Sequence, residues 1–465
     1  MTDLTPFYAP RSIAVVGAGD RPTSSGGAVV QMLVRAGYTG RLVPINPKGG
    51  VAFGHPVVPS LSALDQPVEL VVIVIRPDAI LEAVAQAAAS GHRHLLILPG
   101  GFAEAGAPGL ARQTALDALI ESHGLVVAGP NCAGLINLAR GEGVAASFLR
   151  DLPYGVPAGG RGVALVSQSG AIAEDAIAAS HRLSVPLATV VSVGNAAKIG
   201  VADHLEHLAA DPSIGVVLLY LESLGDAERF GRAARRAAAV KPVVALFGGV
   251  TPAGAAAAER HTGARPRTDP LAELAAMGVV TVAAQDDLWL AGKAFAAYPN
   301  GAGPRVLIVS NSGGPGVLIA DAAVAAGLTL PALPEAMAAA LSAGLPPEAA
   351  VANPIDLLAD AREERFALAL EVGFAADPPF DQILCFHTAP FMVDPAPVVA
   401  AVAAVAARAP CPLFHAMAGT VPERAAWFAA LDQAGVPVVG DGQAMARMAG
   451  VLARYHRLAQ GLTGD

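Results

Sequence analysis

A histidine among cations is the first feature with chemical reach. His261 lies in a stretch running from Gly248 to Asp269, after the apolar run Lys241-Pro-Val-Val-Ala-Leu-Phe247, and Arg260, Arg265 and Arg267 surround it in sequence. This grouping suits an anion. A neutral imidazole can attack a phosphoryl group and a protonated one can donate to it, because the ordinary imidazole pKa lies near neutrality. A solvated surface histidine would look the same locally, so the choice rests on the other reactive groups of the chain.

Glu222 is one of these. It follows the run Val216-Val-Leu-Leu-Tyr-Leu221 directly, which places it at the carboxyl edge of a strand, where open α/β sheets bind their ligands. A carboxylate there can hold the second nitrogen of an imidazole, fixing its tautomer and steadying the charge that develops on phosphorylation. Capping the next helix is its plainer role. A further feature occurs twice: Gly162-Val-Ala-Leu-Val-Ser-Gln-Ser-Gly170 and Arg305-Val-Leu-Ile-Val-Ser-Asn-Ser-Gly313 share one pattern, with Ser169 matched to Ser312. Each copy ends a strand and opens a helix at Ser169-Gly170 or Ser312-Gly313, where a hydroxyl and backbone N–H groups can take an anion. Each helix end is worth about 0.3–1 kcal/mol towards a negative charge. Two such ends facing each other would enclose a phosphate, and a histidine nearby would carry it onward. N-capping alone explains either copy; the repetition favours the phosphate.

Near the amino terminus, Gly17-Ala18-Gly19 precedes Ser24, Ser25, Gly26 and Gly27 and then a helical segment expected over Ala28 to Ala36. A glycine-rich loop at a helix start binds phosphates. The dinucleotide fingerprint fails, because position 22 is proline and the second strand ends in Asn46-Pro-Lys48 and not in an acidic residue. Lys48 can hold a phosphate. An ADP-containing ligand with an extra ribose phosphate, such as coenzyme A, therefore fits better than NAD. A structural βα loop with a solvated lysine is the alternative.

The elements that must position these groups follow from composition. A chain of 465 residues exceeds one core and suggests about three domains. With 54% hydrophobic but only 5% aromatic residues, the cores must be Ala, Val, Leu and Ile, which favours parallel sheets wrapped by alanine-rich helices. Apolar runs at Ser12–Val16, Leu42–Ile45, Val68–Ile75, His94–Leu98 and Leu125–Ala128 predict a doubly wound parallel sheet. The Pro/Gly-rich segments Leu149 to Arg161 and Ala297 to Pro304 predict boundaries, giving domains over 1–148, 160–297 and 304–458. In the third, Asn353 and Asp356 could line a site or cap and turn the chain, with turn chemistry the favoured reading, and Val398 to Ala407 points to a packed helix.

Several classes are excluded. A net charge of -9 without a basic cluster argues against nucleic acid. No stretch supplies the roughly 20 apolar residues of a membrane helix, and the Met-Thr-Asp-Leu-Thr-Pro start has no secretory pattern, so a cytoplasmic location is expected. Cys132, Cys385 and Cys411 show no Cys-x-x-Cys spacing, which argues against disulfides and metal.

Taken together, the motifs have a family signature. G-A-G with N-P-K-G-G, G-F-A-E-A-G at Gly101 to Gly106, G-P-N-C-A-G at Gly129 to Gly134, S-Q-S-G-A, Y-L-E, H-T-G and S-N-S-G-G-P-G make the chain resemble the alpha subunit of the ADP-forming acyl-CoA synthetases, relatives of succinyl-CoA ligase, over nearly its whole length. The resemblance implies a Rossmann-like CoA-binding domain followed by two flavodoxin-like ligase domains. It implies phosphorylation of His261 with Glu222 as its partner, and CoA held by Lys48 and the Gly17 to Gly26 loop. Asn131 and Cys132 would lie near the CoA thiol end, Ile75 and Arg76 complete the expected cofactor-binding set, and Ser169, Gly170, Ser312 and Gly313 would cradle phosphate. The substrates implied are a small carboxylic acid or acyl-CoA and phosphate. None of the four lysines sits in a nucleotide-binding loop, so the resemblance implies ATP or ADP with Mg on a separate ATP-grasp beta subunit in a hetero-oligomer. The chain departs from the family at Arg260, at Phe247-Gly-Gly and at Gly194-Asn-Ala-Ala-Lys198. A catalytically degenerate CoA-binding or regulatory protein, and more remotely an NAD-dependent oxidoreductase, are the alternatives.

Overall fold

The computed structural model describes residues 2–139, 143–157, 160–262, 268–390, 392–419 and 422–462. The chain divides into two compact units, Met1–Ala283 and Ala284–Asp465. It is α/β throughout, as its apolar runs imply.

The first unit holds two large sheets. One contains β1 (Ser12–Val16), β2 (Arg41–Ile45), β5 (Leu70–Ile73), β6 (His94–Ile97) and β7 (Val126–Ala128), in spatial order β2-β1-β5-β6-β7 and parallel throughout. The two-residue strands β3 (Val51–Ala52) and β4 (His55–Pro56) form a small hairpin beside β2. The other sheet contains β8 (Gly134–Asn137), β9 (Val144–Ser147), β10 (Gly162–Ser167), β11 (Leu187–Ser192), β12 (Ile214–Leu221), β13 (Val243–Phe247) and β14 (Val280–Val282), ordered β14-β13-β12-β10-β11-β8-β9. Its strands are buried on both faces, β10 and β11 over every residue, so they appear in sequence as continuous apolar runs and not as alternation.

Two differences from the sequence expectations concern where the chain changes sheets. It leaves the first sheet after β7, and the antiparallel pair β8–β9 joins the second sheet through β11, ahead of the Pro/Gly segment at 149. Short strands that pair at a sheet edge by long-range contacts carry little local signal. The helix Gln285–Ala297 belongs to the second unit, ahead of the segment at 297: Lys293 Nζ donates to Asp432 at 2.9 Å and to the Val438 carbonyl at 2.8 Å, and Phe295 packs edge-on against Tyr455.

The second unit is one sheet, β15 (Val306–Ser310), β16 (Ile355–Asp356), β17 (Gln382–Thr388), β18 (Leu413–Ala418) and β19 (Val438–Val439), parallel and ordered β16-β15-β17-β18-β19. The turn chemistry expected of Asn353 and Asp356 is present. Asn353 accepts the N–H of Ile308 at 3.1 Å and donates to the carbonyls of Val306 and Pro331, while Asp356 accepts the N–H of Leu358. Among the described residues no helix is long and apolar enough to cross a membrane.

Candidate functional site

The glycine loop after β1 is shaped by backbone approach. Gly17 has φ +93°, and a Cβ there would lie 2.3 Å from the Val74 carbonyl oxygen; a Cβ on Gly26 would lie 2.1 Å from the carbonyl oxygen of Gly17. The helix therefore begins at Ser25 and not at Ala28. Glycines at 26 and 27 weaken the helical signal in sequence, yet they allow the helix start to press against the loop, a role the dinucleotide fingerprint gives to the glycine missing at 22. Ser24 caps this helix, accepting the N–H of Gly27 at 3.2 Å and donating to the Arg21 carbonyl at 2.8 Å. Lys48 is exposed on a turn braced by Asn46, which accepts the Lys48 N–H and donates to the Ala18 carbonyl at 2.7 Å.

These residues line a cleft of about 1630 Å³ in the first unit, larger than the roughly 300–1,000 Å³ of ordinary small-molecule pockets. Gly17, Ser24, Ser25, Lys48, Ile75, Arg76, Asn131 and Cys132 all face it, and so do Ser169 and Gly170 from the second sheet. Ala18 and Gly19 are not among the lining residues; Ala18 is fully buried and contributes its carbonyl to Asn46. Lys48, Arg76 and Arg150 supply positive charge to the walls, against Glu82 and Glu174.

Behind the Gly100 and Asn131 side of the cleft, three loops are cross-linked. Asn131, in a left-handed conformation at φ 59°, donates to Asn195 at 3.3 Å, and Asn195 donates to Glu104 at 2.6 Å. Glu104 in turn accepts the backbone N–H groups of Gly101 and Phe102. Burial opposes the charge on Glu104, but these hydrogen bonds outweigh it and hold its carboxyl below the usual range. Cys132 points inwards: its thiol contacts the Ile97 carbonyl at 3.4 Å and burial pushes it up to about 12, so it serves as a packed wall residue and not a nucleophile.

At the end of β10, Ser167, Gln168 and Ser169 form a compact turn. The Ser167 hydroxyl donates to the Ser169 carbonyl at 2.7 Å and accepts its N–H at 3.1 Å, and Ser169 caps the helix Gly170–Leu183 through Ile172. Gln168 reaches across to the end of β12, accepting the N–H groups of Glu222 at 2.5 Å and Ser223 at 3.0 Å and donating to the Ser223 carbonyl at 3.1 Å. Glu222 is half-buried, and its Oε1 accepts the Tyr220 hydroxyl at 3.1 Å. In the second unit, Ser310 holds Ser312 through the same pair of bonds, at 2.9 and 3.0 Å, and the Asn311 amide grips both backbone groups of Thr388 at the end of β17, at 2.8 Å each. Ser312 and Gly313 open the helix Gly313–Ala325. The serine and amide bonds of the motif are thus repeated, but the cap is not: Ser169 caps its helix through its side chain and Ser312 makes no side-chain cap bond. Gln168 went unmarked in the sequence although its place between two serines, matched by Asn311, was a signal.

His261 belongs to the helix Pro252–Thr262. The helix is capped by Thr251, whose hydroxyl accepts the N–H of Gly254 at 3.1 Å. The imidazole of His261, with Gly263, Arg265 and Arg267, lies outside the described residues.

Residues 11–137 match the CoA binding domain, 160–295 the succinyl-CoA ligase like flavodoxin domain, and 306–440 the ligase-CoA domain. The alpha subunit of ADP-forming acetate–CoA ligase II of Pyrococcus furiosus is 32% identical over 362 residues, which is 77% of this chain and 77% of that protein. The chain belongs to the ADP-forming acyl-CoA synthetase family. ADP-forming acetate–CoA ligase I of Archaeoglobus fulgidus is 31% identical over 97% of this chain, and the chain spans 64% of that relative's length. Among solved structures, a dinucleotide-forming acetyl-coenzyme A synthetase 1 from Ca. Korarchaeum cryptofilum, in complex with phosphate and ADP, superposes with a TM-score of 0.90 at 26% identity, covering 100% of both chains.

Two of the three departures from the family pattern can be placed in the structure. Phe247 is the last residue of β13, buried and paired with Leu221. The Gly194–Lys198 segment packs on the Gly129–Asn131 loop, with Asn195 donating its N–H to the Pro130 carbonyl and Ala197 to that of Gly129, and Lys198 reaches Glu121 at the surface.

Proposed function

We propose that this chain is the alpha subunit of an ADP-forming acyl-CoA synthetase, interconverting acyl-CoA, phosphate and ADP with a carboxylic acid, CoA and ATP. The observation that carries this reading is the single cleft that joins the Gly17–Lys48 wall to the Ser169–Gly170 turn. The close-packed glycine loop, the helix start at Ser25 and the cations Lys48 and Arg76 suit the phosphates of CoA, while the Ser169 turn suits the phosphate that attacks its thioester.

In the acyl-CoA-cleaving direction a phosphate oxygen attacks the thioester carbonyl, the C–S bond breaks, and CoA leaves as a thiol after taking a proton. The acyl phosphate is then attacked at phosphorus by the His261 imidazole; the bond to the acyl oxygen breaks and the carboxylate departs. Glu222, at the edge of β12, balances the positive charge of the phosphorylated ring. The phosphoryl group finally passes to ADP, which an ATP-grasp beta subunit holds with Mg in a hetero-oligomer.

Labelling tests the reading. The chain, incubated with an ATP-grasp subunit and ATP labelled in its γ-phosphate, is expected to take up acid-labile label that His261→Ala abolishes. Persistence of that label in the variant removes the assignment. CoA binding without any label points instead to a regulatory, non-catalytic CoA protein.

A further inference from the structure

The residues around Glu222 carry one more assignment. The Tyr220 hydroxyl donates to Glu222 Oε1 at 3.1 Å. The two residues lie two apart at the end of β12, so both side chains project to the same side of the strand. The backbone of Glu222 is fixed independently, because Gln168 accepts its N–H from the neighbouring strand. Backbone and carboxylate are therefore held from two directions. The third wall is Gly248, just past the end of β13: a Cβ there would come 3.0 Å from the Tyr220 hydroxyl and 3.6 Å from the Glu222 side chain. The phenol occupies the space that a side chain at 248 would need. Burial first, and then the Glu222 carboxylate, push the phenol up to about 12, so it remains a donor at neutral pH.

We propose that Tyr220 is a positioning residue for the phosphohistidine step, holding one oxygen of Glu222 so that the carboxylate is pre-aimed, and that Gly248 is there to leave the phenol its place. This rests on the reading of Glu222 as the partner of phosphorylated His261. A carboxylate that must balance a charge appearing only transiently acts best when its orientation is settled beforehand.

The test compares Tyr220→Phe, Gly248→Ala and Glu222→Gln in the full chain with its ATP-grasp subunit, reading the single-turnover rate of γ-phosphate labelling and, separately, CoA affinity by calorimetry. Loss of one hydrogen bond to a charged group predicts labelling about tenfold slower in Tyr220→Phe. Gly248→Ala, which keeps the phenol but crowds it, should fall between that variant and the parent. CoA affinity should stay at the parent value in both. Parent-like labelling in both variants, with Glu222→Gln inactive, overturns the proposal and leaves the role of Glu222 standing. A parallel fall in labelling and CoA affinity also overturns it, because that is what a purely structural residue would give. Full labelling in Glu222→Gln removes the underlying reading itself.

Discussion

The side-chain oxygen of Gln168 accepts the backbone N–H of Glu222 at 2.5 Å, which ties the helix-opening turn of β10 to the carboxylate at the end of β12. Both groups belong to the proposed phosphate chemistry, so the link sets their spacing directly. Gln168→Ala removes three hydrogen bonds to the 222–223 backbone and leaves those groups to water or to one another. The expected cost is about 1–3 kcal/mol of stability, with slower labelling. Gln168→Glu can still accept both N–H groups, but it loses the bond to the Ser223 carbonyl and sets a second negative charge beside Glu222. Labelling is expected to be slower in Gln168→Glu than in Gln168→Ala, although Gln168→Glu should melt closer to the parent; label uptake and thermal melting in parallel check this.

Binding of CoA separates the loop's geometry from its charge. Lys48→Ala removes one exposed cation, which predicts affinity about fivefold to tenfold weaker at low salt and a smaller difference as salt screens the contact. Gly26→Ala places a methyl where the Gly17 carbonyl oxygen already lies, 2.1 Å away. The helix start must then move off the loop, so CoA binding should be lost at every salt concentration. Calorimetry over a salt series distinguishes the two patterns.

How much of this was legible in sequence depends on how local each signal is. The apolar runs of β1, β2 and β10 and the Ser-Gly helix starts announce themselves over a few residues, and so do the loop glycines. The pair β8–β9 does not, because its place is set by Leu135, Ile136 and Asn137 aligning with β11, some fifty residues further along the chain. The helix containing Lys293 groups by contact with the second compact unit, through an Asp432 partner distant in sequence, while the flavodoxin-like domain match runs on to residue 295, close to the expected boundary at 297. Cys132 stood beside Asn131 in a functional motif, yet only the packing against Ile97 shows that its thiol is sequestered.

That sequestration makes a chemical prediction. Burial pushes the Cys132 thiol up to about 12 and does the same for Cys385 and Cys411, so the reactive thiolate is scarce at pH 8. Iodoacetamide at that pH is expected to leave the buried Cys132 and Cys385 unmodified in the folded chain, to reach the partly buried Cys411 first, and to label all three in denaturant, with the sites read by peptide mass spectrometry. Cys132→Ala should retain CoA binding. Rapid native alkylation of Cys132 would mean that the wall of the cleft opens far more than this packing allows.

The second unit carries its own acid sensitivity. His387 on β17 and His415 on β18 are fully buried with ring centroids 6.2 Å apart, and none of their four ring nitrogens has a hydrogen-bond partner within the described structure. Burial holds His387 down to about 4; burial, with the neighbouring His387 second, holds His415 down to about 3. Both values lie below the roughly 6.5 of an unfolded histidine, so the unfolded chain binds protons first as pH falls. The stability of the neutral pair is fully present above about pH 6.5 and drains away as pH drops towards 4 and 3. Each tenfold difference in proton affinity is worth about 1.4 kcal/mol, giving a loss on the order of several kcal/mol for the pair. Acidification should therefore soften Ala284–Asp465, seen as earlier hydrogen exchange across β17 and β18, with the buried His204, held down to about 3, adding a separate acid sensitivity to the first unit. Replacing both histidines with leucine should flatten that acid dependence while leaving the melting temperature at pH 8 nearly unchanged or raised, since no hydrogen bond is lost; an unaltered pH profile in the double variant would place the acid sensitivity in other groups.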